Sequence, residues 1–338
     1  MASDRMVLVT GGGGFLGGAI VRLLLLRGER VRTLSRGDYP ELKRLGVEHI
    51  RGDIADVRAV RLACRGVQAV FHTAAKPGVW GPYAEYYRTN VQGTLNVIDA
   101  CRTGGVERMI YTSSPSVVFD GGNMEGVDES VPYPAHFEAH YPHTKALAEQ
   151  AVLKAAREGL PAIVLRPHLI WGPGDHHLVP RILARGAKLR RVGNGRNKVD
   201  TVYVDNAALA HVLAEESLAR NPALSARMYF ISQDAPIPLW DMIDQILAAG
   251  NLAPVKKTIS PKMARFIGAV CEAVYATLRL KKEPPMTLFV ARELATAHWF
   301  NISAAKQDLN YRPQVSTEEG LKRLAAWLQR LSPMNPTE

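Results

Sequence analysis

Eight residues near the start of the chain, Thr10-Gly11-Gly12-Gly13-Gly14-Phe15-Leu16-Gly17, constrain its fold more than any other stretch. They follow an apolar run, Met6–Thr10, that reads as a short buried strand. They open an amphipathic segment, reaching about Arg27, that reads as a helix. Strand, glycine turn and helix in that order match T-G-x-x-G-x-x-G. Gly11 permits the tight turn, Gly14 lets the backbone approach a pyrophosphate, and Gly17 allows close helix–strand packing, with Phe15 and Leu16 between them. The positive helix N-terminus then receives the phosphates of a dinucleotide.

The rhythm after this turn is that of a parallel sheet. Short apolar strands are predicted at 30–34, 47–51, 69–73, 108–112 and 162–165, alternating with helical segments such as 56–64 and 83–104. The fold class is therefore α/β, a Rossmann-type doubly wound parallel sheet with helices on both faces. Beyond about residue 175 the alternation weakens. Strands are still predicted at 201–204 and 228–231, the latter the last of the sheet, and the rest reads as mostly helical. The expected division is a dinucleotide-binding domain over 1–175, to which 200–232 returns, and a smaller substrate-binding domain over 176–338.

Composition narrows the function. In 338 residues, a hydrophobic fraction of 47% supplies ample core. The net charge of +10 reads as a basic surface, since no helix-turn-helix, zinc-finger or RNP pattern points to nucleic acid. Cys64, Cys101 and Cys271 lie far apart without C-x-x-C pairing, which argues against a disulfide framework or zinc site and fits a reducing cytoplasm. No signal-peptide pattern precedes the first strand, and no run of ~20 uncharged apolar residues predicts a spanning helix. The nearest candidate, 263–280, is broken by Arg265, Glu272 and Arg279. It reads as an amphipathic helix covering an apolar pocket, with peripheral membrane contact as the lesser reading. His136, His140 and His143 have a spacing that can bind metal, but without a carboxylate-rich pocket they read as polarity in a substrate loop, and no metal is expected. In the basic stretch 181–198, one or two cations can steer or hold a substrate carboxylate.

Cofactor choice is read at the end of the second strand. NAD binders usually place an acid there to hold the ribose diol. Here Leu34 is followed by Ser35-Arg36, a hydroxyl and a guanidinium suited to a 2′-phosphate. NADP(H) is expected over NAD(H), with Asp38 further into the loop and Asp53-Ile54 bracketing the adenine. Tyr141 and Lys145 stand one helical turn apart on one face. A phenol titrates near ~10, and a neighbouring ammonium favours the phenolate, giving a proton donor and acceptor matched to carbonyl reduction or alcohol oxidation. Ser114, at the carboxyl edge of the sheet, can orient the carbonyl oxygen, whereas Ser113 is read as capping a turn.

Together the glycine loop, Asn90-Val91-Gln92-Gly93-Thr94, Thr112-Ser113-Ser114, Tyr141-x-x-x-Lys145 and Arg166-Pro167-His168-Leu169-Ile170-Trp171-Gly172 resemble an extended short-chain dehydrogenase/reductase. Tyr203-Val204-Asp205-Asn206-Ala207-Ala208-x-x-x-His211 is similar to the branch containing 3β-hydroxysteroid dehydrogenases. So is the tail Phe300-Asn301-Ile302-Ser303-x-x-Lys306-x-x-Leu309-x-Tyr311-x-Pro313. The resemblance implies Ser114, Tyr141 and Lys145 as a catalytic triad, with Lys145 also holding the nicotinamide ribose. It implies that Asn90 steadies a helix and water relay, that Ala74, Lys76, Pro167 and Ile170 are further cofactor contacts, and that Trp171 lies near the nicotinamide.

Within that branch the chain is most similar to the 2-alkyl-3-oxoalkanoate reductases of bacterial long-chain olefin biosynthesis, with sterol-4-carboxylate 3-dehydrogenases (decarboxylating) next. The resemblance implies NADPH-dependent reduction of a 3-oxo group on a hydrophobic, carboxylate-bearing substrate. The alternative is NAD(P)-dependent oxidation of a 3β-hydroxysteroid or sterol-4-carboxylate. A non-catalytic NADP-binding regulator is the alternative of another class, and the intact triad weighs against it. A homodimer is implied by the resemblance alone, and contact with a membrane surface or a multi-enzyme complex stays open.

Overall fold

Seven strands form the central sheet: β1 (Met6–Thr10), β2 (Arg30–Ser35), β3 (Glu48–Arg51), β4 (Ala69–His72), β5 (Arg108–Thr112), β6 (Ala162–Pro167) and β7 (Met228–Ile231). All pair in parallel, in the order β7-β6-β5-β4-β1-β2-β3. The computed structural model describes residues 5–331, so the outer ends of the two expected domains, 1–4 and 332–338, lie outside the described residues. Side chains alternate across the sheet as strand geometry requires. Val7, Val9, Ile110 and Leu165 join one core, and Leu8, Met109, Tyr111 and Val164 join the other.

Helices cover both faces. On one, α1 (Phe15–Leu26) packs against α5 (Val204–Arg220). On the other lie α2 (Val57–Cys64), α3 (Gly93–Gly104) and α4 (His140–Arg157). Asp56 caps α2 by accepting from the Arg58 N–H at 2.9 Å. The helix expected over 83–104 is continuous but carries a π-helical stretch, Tyr87–Gln92, just before α3. Because the chain leaves β1 in one direction and returns through β4 in the other, a crevice opens at the carboxyl ends between them.

The region after β6 is mostly helical, as expected, but it also carries several short strands that the sequence did not suggest. A second sheet assembles Ile237–Pro238, Lys198–Val199, His298–Phe300 and Met124–Val127, and Val202–Tyr203 pairs with Ile170–Trp171. Strands of two to four residues are too short to show a period. Trp171 takes part in this packing: it is fully buried edge-on to Tyr203, and its indole donates to Thr201 Oγ1 at 3.2 Å. The helices here include α6 (Leu239–Ala249), α7 (Pro261–Thr277), α8 (Leu288–Glu293) and α9 (Thr317–Leu331). α7 overturns one expectation. Met263, Phe266, Val270, Val274 and Leu278 point to solvent, not into a pocket.

Two motifs of the resemblance turn out to close the fold. Asn206 accepts from the N–H groups of Gln314 and Val315 and donates to the Val315 carbonyl and Gln233, clamping the tail onto α5. Tyr311 donates to the Ser232 carbonyl at 3.0 Å, and Phe300 stacks on Phe230 of β7 with ring centroids 4.2 Å apart.

Candidate active site

The crevice is a cleft of about 440 Å³ at the carboxyl edge of β1, β2, β4 and β5. Its floor begins at the glycine turn. Gly11 adopts φ +71°, a left-handed conformation, and its N–H donates to the Leu34 carbonyl at 2.8 Å. A Cβ on Gly17 would lie 2.2 Å from the Gly11 oxygen, so only glycine lets α1 start this close to β1. A Cβ on Gly14 would meet only that same oxygen, at 3.1 Å. Behind the turn, His72 is locked neutral between Thr10 and Thr94 at 2.7 and 3.0 Å, burial and the Lys145 charge driving its pKa down to about 3.

The cofactor residues read from the sequence gather here. Gly11, Gly14, Phe15, Leu16, Gly17, Ser35, Arg36, Asp53, Ile54, Ala74, Pro167 and Ile170 all line the cleft, together with Ser114, Tyr141 and Lys145. Ser35 Oγ accepts from the Gly13 N–H at 3.2 Å. Arg36 is exposed with no side-chain partner among the described residues, whereas the nearby acid Asp38 is held by Lys43 at 3.3 Å. Asp53 accepts from the Ala55 N–H and pairs with Arg88 at 3.1 Å. Ile54 packs so close to α3 that a Cβ on Gly93 would lie 2.6 Å from it.

Lys76 is the exception. It does not line the cleft. Its ammonium pairs with Glu85 at 3.0 Å, above the ring of Tyr86, while its backbone N–H donates to Asn90 Oδ1 at 2.7 Å. Asn90, in the π-helical stretch, also donates to the Lys76 carbonyl and to Thr144 of α4. It thus ties this wall of the cleft to the helix bearing Tyr141 and Lys145; π-helical turns recur at functional sites.

On α4 the two groups are not tuned as the sequence suggests. Lys145 is buried, donating to the Tyr111 phenol at 2.7 Å and the Thr112 carbonyl at 2.6 Å. Burial pulls its pKa down to about 7, against the opposing pull of Glu149 one turn on. Tyr141 is pushed up to about 12 by burial, and the group that lowers it is Ser114, through a hydrogen bond, not Lys145. Ser114 also caps the short turn at Pro115–Val118, accepting from the Ser116 N–H at 3.3 Å. Ser113, expected to do the capping, keeps a buried hydroxyl with no partner.

A buried ion pair supports this helix. Arg166 donates to both oxygens of Glu149, and Tyr133 donates to one of them at 2.6 Å. Glu149 is thereby held as a satisfied carboxylate beneath Lys145. His211 plays a similar structural part, accepting from Thr112 at 2.8 Å and donating to the Ala207 carbonyl, its pKa lowered by burial to about 4. Other side chains escaped the sequence reading. Tyr111 was read only as part of the strand 108–112 that ends in hydroxyls, not as the partner of Lys145. Tyr39 lies over the glycine turn, where a Cβ on Gly13 would strike its ring at 2.2 Å. Glu293 of α8 lies within electrostatic reach of Tyr141, its own pKa raised by burial to about 7. The rings of His140 and His143 pack around Tyr83, and Arg181 and Arg191 of the basic stretch pair with Glu283 and Asp244.

A doubly wound sheet with a glycine cradle at its switch point and a Ser–Tyr–Lys set in the same cleft defines an extended short-chain dehydrogenase/reductase, an oxidoreductase. The profile of the 3-beta hydroxysteroid dehydrogenase/isomerase family matches residues 8–260, and the chain belongs to that family. A 2-alkyl-3-oxoalkanoate reductase of Stenotrophomonas maltophilia is 52% identical over 324 residues, 95% of this chain and 98% of that one. The mouse sterol-4-alpha-carboxylate 3-dehydrogenase, decarboxylating, is 34% identical over 96% of this chain and 91% of its own. Among solved structures, gox2253 superposes with a TM-score of 0.78 at 27% identity, covering 97% of this chain and 98% of that one.

Proposed function

We propose that this protein uses NADPH to reduce the 3-oxo group of a long-chain 2-alkyl-3-oxo acid to the 3-hydroxy acid. The observation that carries the reading is an intact Ser114–Tyr141–Lys145 set in the cleft of a chain 52% identical, nearly end to end, to a 2-alkyl-3-oxoalkanoate reductase. A nicotinamide dinucleotide fits the residues present. Its pyrophosphate matches the cleft bordered by Gly14 at the turn that Gly11 and Gly17 make possible, and Ser35 with the free Arg36 suits a 2′-phosphate, the neighbouring acid being held by Lys43.

When bound, the dinucleotide supplies the hydride that adds to the carbonyl carbon. As the π pair moves onto oxygen, Tyr141 gives that oxygen its proton, and Ser114, hydrogen-bonded to the same phenol, holds the oxygen in line. A phenol near 12 is protonated throughout the neutral range, the state that reduction needs. In its protonated form Lys145 has three N–H donors; two are engaged, and the third is available to a ribose hydroxyl. Residues 1–175, joined by 200–232, form the NADP-binding part, and the rest of 176–338 the substrate-binding part. Free thiols at Cys64, Cys101 and Cys271 support a cytoplasmic setting.

The test is purified protein with NADPH and NADH against a 2-alkyl-3-oxo acid and, in reverse, a 4-carboxy-3-hydroxysterol. NADPH-dependent turnover of the oxo acid is expected. Turnover of the sterol alone would overturn the substrate, and tight NADPH binding without turnover of either would overturn the enzyme reading.

A further inference from the structure

Sequence spacing pairs Lys145 with Tyr141, but the folded chain gives it a different phenol. Lys145 Nζ donates to Tyr111 Oη at 2.7 Å and sits over the Tyr111 ring, 4.2 Å from its centroid. Tyr111 is fully buried and does not line the cleft. Burial and the Glu149 charge raise its pKa, so the phenol stays neutral, with one proton to give and lone pairs to accept. It takes the ammonium on one side and is hydrogen-bonded to Thr94 of α3 on the other.

Chemistry fixes the direction of each bond in this buried set. The Thr94 hydroxyl donates to the Asn90 carbonyl at 2.6 Å, which can only accept. Thr94 Oγ1 therefore accepts from Tyr111 and from His72, whose Nε2 lies 3.0 Å away. His72 is then the Nε2–H tautomer, and its bare Nδ1 accepts from the Thr10 hydroxyl at 2.7 Å, on the residue leading into the glycine turn. Donors from Lys145 and from Thr10 thus converge on Thr94. A set arranged this way cannot pass a proton from end to end, but it holds its members rigidly. Asn90, implied by the resemblance to serve a relay behind the lysine, has its amide engaged by Lys76 and Thr144.

We propose that Tyr111 is a positioning residue of the reaction: its oxygen, backed by Thr94, holds the charged Lys145 ammonium against the sheet so that one N–H is left for the cofactor ribose. The assignment rests on Ser114, Tyr141 and Lys145 as the reacting set, not on which carbonyl is reduced. An oxygen that accepts from an ammonium favours its charged form. Tyr111 and Glu149, the latter held by Arg166 and Tyr133, together oppose the burial that draws Lys145 down to about 7. The other titratable groups around it are His72 on β4, neutral, and Tyr141 on α4, which Tyr86 and Glu293 reach from two further elements.

The experiment compares Tyr111→Phe with wild type from pH 5 to 9, by fluorescence titration with NADPH and by kcat/KM for a 2-alkyl-3-oxo acid. Without the hydroxyl, Thr94 keeps His72 and Asn90, so the melting temperature should hold while Lys145 loses an acceptor. The alkaline loss of function should then begin about one pH unit lower. NADPH affinity and kcat/KM should fall by about tenfold at pH 8 and by less than about twofold at pH 5. Thr94→Val, which removes the support behind the same phenol, should shift both profiles in the same direction. A ratio of variant to wild type that is constant across pH would overturn the proposal, because a tyrosine that only fills space acts alike at every pH. So would unchanged affinity at pH 8. If the wild type turns over no oxo acid, the substrate reading fails on its own, and the NADPH titration still decides the role of Tyr111.

Discussion

Lys145 engages Tyr111 and the Thr112 carbonyl, so the phenol of Tyr141 is left to Ser114 and to burial. A Y-x-x-x-K spacing cannot reveal this, because the competing acceptors come from a strand more than thirty residues earlier. The gathering of the pair, Ser114 and the glycines in one cleft was nevertheless legible, since each is a particular residue type at a fixed place. Lys76 was not, because its side chain found a closer anion in Glu85. Tyr141→Phe removes the transferable proton, so kcat should fall ~10²-fold or more with the dissociation constant for NADPH little changed. That is read by steady-state kinetics beside a fluorescence titration. Arg36→Ala removes a charge-assisted contact and should lower kcat/KM with NADPH by ~10- to 100-fold while sparing NADH. Equal losses with both dinucleotides would instead place the 2′-phosphate elsewhere.

Among the elements, the alternating β and α segments of the first half were legible because each strand is a short apolar run bounded by turn residues. The second sheet was not, since its strands are too short for periodicity and are paired by residues far apart in sequence, such as Val199 with His298. Two elements invite direct tests. Gly17→Ala puts a methyl 2.2 Å from the Gly11 oxygen, forcing α1 from β1. We expect destabilisation of about 1–3 kcal/mol by urea unfolding and loss of NADPH binding. Asn206→Ala strips four hydrogen bonds between α5, Gln233 and the 314–315 segment, a buried set that should lower stability by about 2–4 kcal/mol. A lower urea midpoint with full triad activity per folded molecule would mark the motif as a clamp rather than part of the chemistry.

For the whole molecule, acid sensitivity follows from buried neutral histidines. His211 titrates near 6.5 when unfolded and near 4 in the folded protein. Between those values the unfolded chain binds more protons, so stability falls as pH falls across that window, by about 3 kcal/mol in all. Asp200, raised by burial to about 6, works in the opposite direction, so the comparison must be made against a variant. In His211→Gln the slope of unfolding free energy between pH 6.5 and 4 should flatten relative to wild type. An identical slope would mean that this imidazole stays charged inside. The three-dimensional closure of the chain was legible only in part. That 228–231 rejoins the sheet could be read from its apolar pattern, but its clamp, Asn206 on the tail, could not.

That late return has a consequence for how the protein is made. β6 ends at Pro167 and its outer neighbour β7 only at Ile231. At translation rates of ~5–20 residues per second, the open edge of β6 waits roughly 3–13 s for its partner to be synthesised. Through that interval the nascent chain carries an unpaired, mostly apolar strand edge, the kind of surface on which chaperones act and aggregates begin.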